Sequence, residues 1–217
     1  MRGDLIELDS ALQSSFQRLL FENKALTFSW SAVAVFSNAI AGNNPAIPCV
    51  RAFSRLNSVF MVFKSLRDRD TPEMFRYPRN LLADMEVQGP ANNHFCELND
   101  NFLYTAQVAL GSRLFPERPM DSIGGMWNGM LQCIGKSNQS WSPVNIKGYE
   151  YCSNKHIMGM CLQRVPGGFS TGLSTRAGDL VRVQLQNIDP EWVDTALLIM
   201  SHDVIIELRE QGVQVFD

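Results

Sequence analysis

The sequence has 217 residues, of which 45% are hydrophobic and 19% are charged, and its formal net charge is −3. A chain of this length and apolar content can bury a core of ordinary size, which excludes an intrinsically disordered protein. The small negative charge gives no basic field that would draw the protein onto phosphate backbones, so nucleic acid is not predicted as a partner.

The charged fraction lies below the roughly 25% of ordinary soluble domains. Such a surface is suited to burial against neighbouring chains. The same deficit is also expected of a fragment whose faces another domain normally covers, because a lone monomer usually needs charge to stay dispersed. Both interpretations stay open at the level of composition.

Residues 1–7 show no apolar segment behind a basic start, so no secretory signal is predicted and a reducing compartment is expected. The most apolar stretch, residues 28–41, is interrupted by serines and too short to cross a bilayer as a helix, so membrane insertion is not predicted. The cysteines are odd in number and lack C-x-x-C spacing, which predicts small buried side chains rather than disulfides or a zinc ribbon: Cys49, Cys96, Cys133, Cys152 and Cys161.

The first half of the chain begins with a predicted helix over residues 10–21, where leucine and phenylalanine recur at three- and four-residue spacings. From residue 25 the period changes to two, which predicts a half-buried strand that a turn at residues 42–45 closes. The short, continuously apolar run at residues 58–63 predicts a strand covered on both faces. Residues 64–100 show no sustained period and are predicted to form a long loop.

In the second half, apolar and polar residues alternate from 102 to 110, which predicts a strand with one wet face. Ser122 is predicted to cap a helix that ends near Gly135. Three glycines weaken that helix by up to about 1 kcal/mol each, so packing must hold it. Further strands are predicted over residues 157–162, 180–188, 195–208 and 213–216.

Six or seven strands with two brief helices and no alternating βαβ order predict an all-β protein, an antiparallel β-sandwich of jelly-roll type. The predicted organisation is an N-terminal segment with a short helix (residues 1–24) and a single jelly-roll domain (residues 25–217). The residues predicted for the core are Phe28, Trp30, Phe60, Val62, Tyr104, Val108, Trp127, Val183, Leu185, Leu198, Ile206 and Val215.

One pattern resembles a hydrolase motif. Residues 168–172 match G-x-S-x-G around Ser170, and Asp179 or Asp194 followed by His202 supplies the chain order of a triad. A nucleophile elbow needs a strand before the serine and a helix after it, whereas a proline-glycine turn precedes this motif and a strand pattern follows. The pentapeptide is therefore interpreted as a glycine-rich surface turn.

A second group of residues has metal-binding side chains. Cys152, His156 and Cys161 lie close in sequence, and His94 or His202 would complete a tetrahedron. The spacing fits no common site, and a strand would place His156 and Cys161 on opposite faces. Each histidine is expected to be a surface or partly buried side chain. The sequence thus assigns no catalytic, cofactor-binding or metal-binding residues and does not predict an enzyme.

The stretch from residue 51 to 79 is locally basic, but aspartates interleave its arginines. A solvated loop or a subunit contact is predicted there. A separate hypothesis, a carbohydrate- or ligand-binding β-sandwich, assigns recognition to residues 64–100, where Tyr77, His94 and Phe95 would stack on sugars.

Several short segments carry a family resemblance, spread over roughly residues 10–217. They are Lys24-Ala25-Leu26-Thr27-Phe28-Ser29-Trp30, Phe53-Ser54-Arg55-Leu56 before the apolar run, Gly111-Ser112-Arg113-Leu114-Phe115-Pro116 before the helix, Gly172-Leu173-Ser174-Thr175-Arg176-Ala177-Gly178-Asp179-Leu180, His202-Asp203-Val204-Ile205, and Gly212-Val213-Gln214-Val215-Phe216-Asp217. Their succession resembles the C-terminal jelly roll of the double-jelly-roll major capsid proteins of Polinton-like elements, virophages and nucleocytoplasmic large DNA viruses.

The resemblance implies a structural protein that assembles as a trimer and tiles, with other capsid subunits, the icosahedral shell of a double-stranded DNA virus. It implies no cofactor and no catalytic residue. It places the protein in the virion, after synthesis in the cytoplasm or nucleus and without secretion. Members of the family have two jelly rolls, whereas this chain has room for one. A fragment, a host-encoded remnant and a truncated relative therefore all remain open.

Overall fold

The computed structural model has nine strands in the part of the chain that it describes, which is residues 9–22, 24–65, 75–78, 104–135, 144, 146, 148–153, 155–165, 171–176, 180–209 and 211–216. In chain order the described elements are α1 (Ser10–Phe21), β1 (Leu26–Ala39), β2 (Ala46–Cys49), β3 (Leu56–Lys64), β4 (Thr105–Leu110), β5 (Arg113–Met120), α2 (Ile123–Cys133), α3 (Gly148–Ser153), β6 (Met158–Cys161), β7 (Val181–Gln186), β8 (Thr195–Arg209) and β9 (Gly212–Phe216).

The strands form two antiparallel sheets. The first sheet has the order β1-β8-β3-β6, with β9 beside β8, and the second has the order β2-β7-β4-β5. The chain passes back and forth between the sheets, from β1 to β2, from β3 to β4 and from β6 to β7. This arrangement of eight strands, with β9 added, is a jelly roll. The predicted fold class is confirmed.

The core lies between the inner faces of the two sheets. On β7, Val181, Val183 and Leu185 are buried and the residues between them are exposed, as the alternation predicts. On β8, Leu198 is fully buried and is paired with Phe36 of β1 and Met61 of β3. Each such side chain contributes about 1.5–3 kcal/mol through the apolar surface that it removes from water.

Helix α2 packs directly on the backbone of β6. Ser122 caps the helix, because its Oγ accepts a hydrogen bond of 3.1 Å from the amide of Gly125. A methyl group added to Gly159 of β6 would lie 2.7 Å from the Cα of Met130, so glycine is required for this close approach. Packing thus compensates for the low helix propensity of the segment, as predicted.

The prediction missed three short elements. Strands β2 and β5 contain Pro48, Pro116 and Pro119, and no strand was predicted over either segment. Both strands lie at the edges of the second sheet, where a missing amide donor is tolerated. Helix α3 has only six residues. Most of the predicted loop at 64–100 lies outside the described residues.

The predicted core is partly wrong. Its buried members are Val62, Tyr104, Val108, Val183, Leu185 and Leu198, its half-buried members are Phe60, Trp127 and Ile206, and its exposed members are Phe28, Trp30 and Val215. The exposed three lie on strands that run past the end of the opposing sheet. Alternation identifies the face of a strand correctly, but it does not report whether another sheet covers that face.

Candidate assembly surfaces

The first residues of β1 and the last residues of β8 lie side by side and, together with β9, form a ribbon. We call this ribbon the sheet extension, and it consists of residues 26–30, 204–208 and 212–216. Phe28 is paired with Ile206, which is paired in turn with Val215. Directly opposed residues of antiparallel strands point to the same face. These three side chains therefore form one row, and Trp30 with Val204 forms the next.

This face of the sheet extension is apolar and open to solvent. Trp30 is 66% exposed, Phe28 50%, Val213 62% and Val215 63%. Strands β1 and β8 have 14 and 15 residues, whereas those of the second sheet have four to eight. The longer strands outrun the sheet that covers them. A contiguous exposed apolar face of this kind marks an interaction surface.

A second exposed apolar surface belongs to α1. Leu12, Phe16 and Phe21 are 45%, 36% and 78% exposed. Leu12 and Phe16 are one turn apart and define a stripe along the helix. No other described element packs extensively against α1. The stripe thus lies at the surface of the described part of the molecule.

The connection between α1 and β1 is hydrogen-bonded. The amide of Glu22 donates to the Arg18 carbonyl at 2.9 Å, and the amide of Lys24 donates to the Leu19 carbonyl at 3.0 Å. The Glu22 carboxylate also contacts the side chains of Arg18 and Lys24 at 3.0 and 2.8 Å, and these hydrogen bonds lower its pKa. Only Ala25 then separates this cap from the first residue of β1. The connection between α1 and β1 is therefore short.

Strand β1 is exposed on its other face as well. Val33 and Val35 point away from the core and are 61% and 60% exposed. Among the described strands, β1 pairs on one side only, with β8. An edge strand of this length carries backbone groups that can pair with another chain. The edge of β1 is therefore the third candidate assembly surface.

A cleft of about 300 Å³ lies where β8 changes its partner from β3 to β9. Arg55, Arg176 and Asp203 line it, together with Phe216 at the end of β9. The Asn57 amide group donates to the Asp203 carboxylate at 2.5 Å, and the Asp203 amide donates to the Arg55 carbonyl at 3.0 Å. The cleft therefore places polar groups beside the sheet extension.

Two arginines of the locally basic stretch at residues 51–79 stack on aromatic rings within the chain. The guanidinium of Arg76 lies 3.7 Å from the centre of the Trp192 ring, and that of Arg51 lies 5.3 Å from the centre of the Phe53 ring. Such contacts stabilise the fold by about 0.5–2 kcal/mol each. These two arginines thus have partners inside the molecule.

The sugar-stacking role predicted for Tyr77 is wrong. Tyr77 is 1% exposed and packs edge-on against Tyr104 and His156, with ring centres 5.4 and 4.8 Å apart. A ring that is buried in the core has no face for a sugar. The other two residues of that hypothesis, His94 and Phe95, lie outside the described residues.

The expectation that the histidines are surface or partly buried is wrong for the two that the structure describes. His156 is fully buried, and its Nε2 lies 2.6 Å from the hydroxyl of Tyr104. Burial lowers the pKa of His156 to about 3, since the low-dielectric core disfavours its charged form. His202 is 2% exposed and packs on Phe53, with ring centres 4.8 Å apart. Both are core residues.

The prediction that the cysteines are buried is confirmed for two of the four that the structure describes. Cys49 and Cys152 are buried, Cys133 and Cys161 are half-buried, and burial raises the pKa of the Cys133 thiol. No disulfide joins these four, and Cys96 is outside the described part. Within the ranges that the structure describes, no three His, Cys, Asp or Glu side chains are grouped so as to hold a metal ion.

The residues of the hydrolase pattern are only partly described. Ser170 and Asp179 lie outside the described ranges. Asp194 precedes the first residue of β8 and accepts a hydrogen bond of 2.8 Å from Thr195. His202 lies eight residues further along the extended chain, roughly 27 Å away at the rise of a strand. Asp194 and His202 therefore do not form a pair.

Comparisons with known proteins give one kind of match. No protein-family model and no curated protein matches the sequence. A crystal structure of PBCV-1 VP54, fitted into a cryo-EM reconstruction of the virophage Sputnik, matches 97% of this chain with a TM-score of 0.55 at 7% identity. A quasi-atomic model of the PBCV-1 virus capsid matches 94% of this chain with a TM-score of 0.53, also at 7% identity.

The chain spans about half the length of these two solved proteins, 55% of the first and 54% of the second. At this identity the similarity is one of fold. None of the helices in the described ranges is long and apolar enough to cross a membrane. The succession of elements that resembled capsid proteins in the sequence is confirmed as a shared architecture: the chain has the fold of a viral capsid jelly roll.

Proposed function

We propose that this protein is a structural building block of a viral capsid. The observation that carries the proposal is its fold, which matches capsid structures over nearly the whole chain. The exposed apolar surfaces of the sheet extension and α1 support it, because a protein that functions alone rarely exposes such faces. Assembly into a shell would bury them.

The proposal includes several finer points. The chain assembles as a trimer within the icosahedral shell of a double-stranded DNA virus, is located in the virion and catalyses no reaction. Residues 1–24 form a segment with a short helix, and residues 25–217 form one jelly-roll domain. Because the matched proteins are nearly twice as long, a second unit joins this one in the assembled shell.

Sedimentation velocity and electron microscopy of the purified chain test the proposal. We expect the sedimentation coefficient to rise with protein concentration, toward a trimer or a larger assembly. Phe28→Lys introduces a charge into the sheet extension and should reduce association, whereas Val50→Lys, at an 81% exposed position outside it, should not. A chain that remains monomeric at high concentration, alone and with co-expressed capsid subunits, contradicts the proposal.

A further inference from the structure

This chain has two exposed apolar surfaces of similar length. They are the stripe of α1 and the inner face of the sheet extension. Helix α1 has 12 residues, which corresponds to a length of roughly 18 Å. The five residues of β1 in the sheet extension span roughly 17 Å. A helix of this length that packs along the sheet extension would therefore cover it from end to end.

In the structure, α1 does not lie on the sheet extension of its own chain. The hydrogen bonds of Glu22 and Lys24 continue the helix cap almost to β1, which leaves only Ala25 before the strand. Folding α1 back over its own β1 would need a reversal within this segment, and the cap bonds would be lost. The chain connectivity thus makes the stripe available to another molecule.

We propose that α1 of one copy lies on the sheet extension of a second copy, and that the exchange is reciprocal. The inference rests on the proposed self-assembly and adds to it a two-fold contact between copies that belong to neighbouring trimers. Leu12 and Phe16 would face Phe28 and Trp30 of the partner copy. Two identical contacts related by a two-fold axis are the usual form of a closed association.

The electrostatics of both surfaces permit this contact. The inner face of the sheet extension carries only apolar side chains: Leu26, Phe28, Trp30, Val204, Ile206, Leu208, Val213 and Val215. Glu207 and Arg209 project from the opposite face, where they form an ion pair of 2.8 Å. The side chain of Arg18 on α1 is 82% exposed and bonded to Glu22. Docking therefore buries no unpaired charge, which would be costly.

The area is sufficient for a specific contact. An aromatic side chain buries about 150–250 Å². The exposed parts of Phe16, Phe28 and Trp30 therefore supply on the order of 600 Å² over two copies, before leucines and valines are counted. Stable interfaces bury roughly 1,200–2,000 Å². With leucines and valines included, two reciprocal contacts approach that range, whereas a single contact remains well below it.

The test is crosslinking between two variants of the full chain. Phe16→Cys and Trp30→Cys proteins are mixed and treated with a short bismaleimide. We expect a covalent dimer at least tenfold more abundant than in a mixture of Val50→Cys and Trp30→Cys, which serves as the matched control. Wild-type protein reports any background from the native cysteines. A yield no greater than that control overturns the inference.

A second variant separates this inference from the proposed function. Phe16→Asp should weaken association at least tenfold in sedimentation and leave the unfolding midpoint of the monomer unchanged, because no other described element packs extensively against α1. If the wild type assembles and Phe16→Asp assembles equally well, the exchange is wrong and the capsid proposal stands. If the double variant Phe16→Cys/Trp30→Cys crosslinks only within one chain at high concentration, the exchange is also wrong. A wild type that never associates refutes both.

Discussion

Leu198 and Trp30 lie on the same face of one sheet, and both were predicted to be core residues. Leu198 is fully buried between Phe36 and Met61, whereas Trp30 is 66% exposed on the sheet extension. The difference between them arises from position along the strand, since only the first lies opposite the second sheet. Their contributions to stability should differ accordingly.

We expect Leu198→Ala to lower the free energy of unfolding by about 2–5 kcal/mol, because it leaves a cavity in the packed core. Trp30→Ala should change it by less than about 1 kcal/mol. Urea denaturation at low protein concentration, where association is minimal, measures both. Equal losses for the two variants would contradict the assignment of Trp30 to an exposed surface.

The burial of His156 and its low pKa were the properties that the sequence predicted least well. It is surrounded by the rings of Phe63, Tyr77, Tyr104 and Tyr151. Three of these rings, those of Phe63, Tyr77 and Tyr104, come from distant parts of the chain, so no local pattern indicated a buried histidine. Its pKa in the folded protein is about 3, below the ordinary value of 6.5.

Burial of a neutral histidine makes stability depend on pH. Below pH 6.5 the unfolded chain binds a proton that the folded chain does not bind until about pH 3, so stability falls as the pH is lowered through this window. We expect a loss of about 2 kcal/mol between pH 6.5 and about pH 5. Urea denaturation across this range should show the loss in the wild type and in Lys155→Gln, an exposed neighbour. His156→Phe should lack it, and an unchanged slope in that variant would refute the explanation.

Among the elements, α2 depends on Gly129, but not on Gly124, for its place against β6. A methyl group on Gly129 would overlap the carbonyl oxygen of Gly159, whereas one on Gly124 would meet no atom within 4 Å. Both glycines weaken the helix by a similar amount in isolation, about 1 kcal/mol relative to alanine. Only Gly129 is needed for the contact between α2 and β6.

The two glycines therefore form a matched pair of substitutions. Gly124→Ala should raise the free energy of unfolding by up to about 1 kcal/mol, because alanine favours the helix. Gly129→Ala should lower it by about 1–3 kcal/mol, because α2 must move away from β6. Thermal or urea unfolding measures both. A stabilising effect of Gly129→Ala would show that α2 does not pack as closely as the structure indicates.

The sequence allowed the long elements to be predicted, but not the short ones. Strands β1, β7 and β8 show their period over six or more residues, and α1 was predicted with its bounds intact. No strand was predicted over β2 and β5, which contain Pro48 and Pro116, and the tolerance of proline at a sheet edge is a property of the assembled sheet. The candidate interface was missed for a similar reason. Trp30 has the pattern of a core residue, and only the relative lengths of the strands show that nothing in the described chain covers it.

At the scale of the whole molecule, the sheet edges differ in how they are protected. Both edges of the second sheet carry prolines, at Pro48 and at Pro116 and Pro119, which discourage pairing with another chain. The described edge at β1 has no proline in its 14 residues, its outer face is exposed, and its inner face is exposed at Phe28 and Trp30. Association is thereby directed to the side of the molecule that holds β1, β8 and β9.

The composition predicts how this association responds to salt. Charged residues make up only 19% of the chain, and the surfaces that we assign to contacts are apolar. Salt screens charge pairs, whereas excluded salts such as sulfate strengthen the burial of apolar surface. We therefore expect the association constant from sedimentation to stay constant or to rise when sodium sulfate is increased from about 0.05 M to about 0.5 M. Trp30→Lys, which adds a charge to the apolar face, should associate more weakly than wild type at both concentrations. Dissociation of the wild type at the higher concentration would show that charge pairs, rather than the sheet extension, hold the copies together.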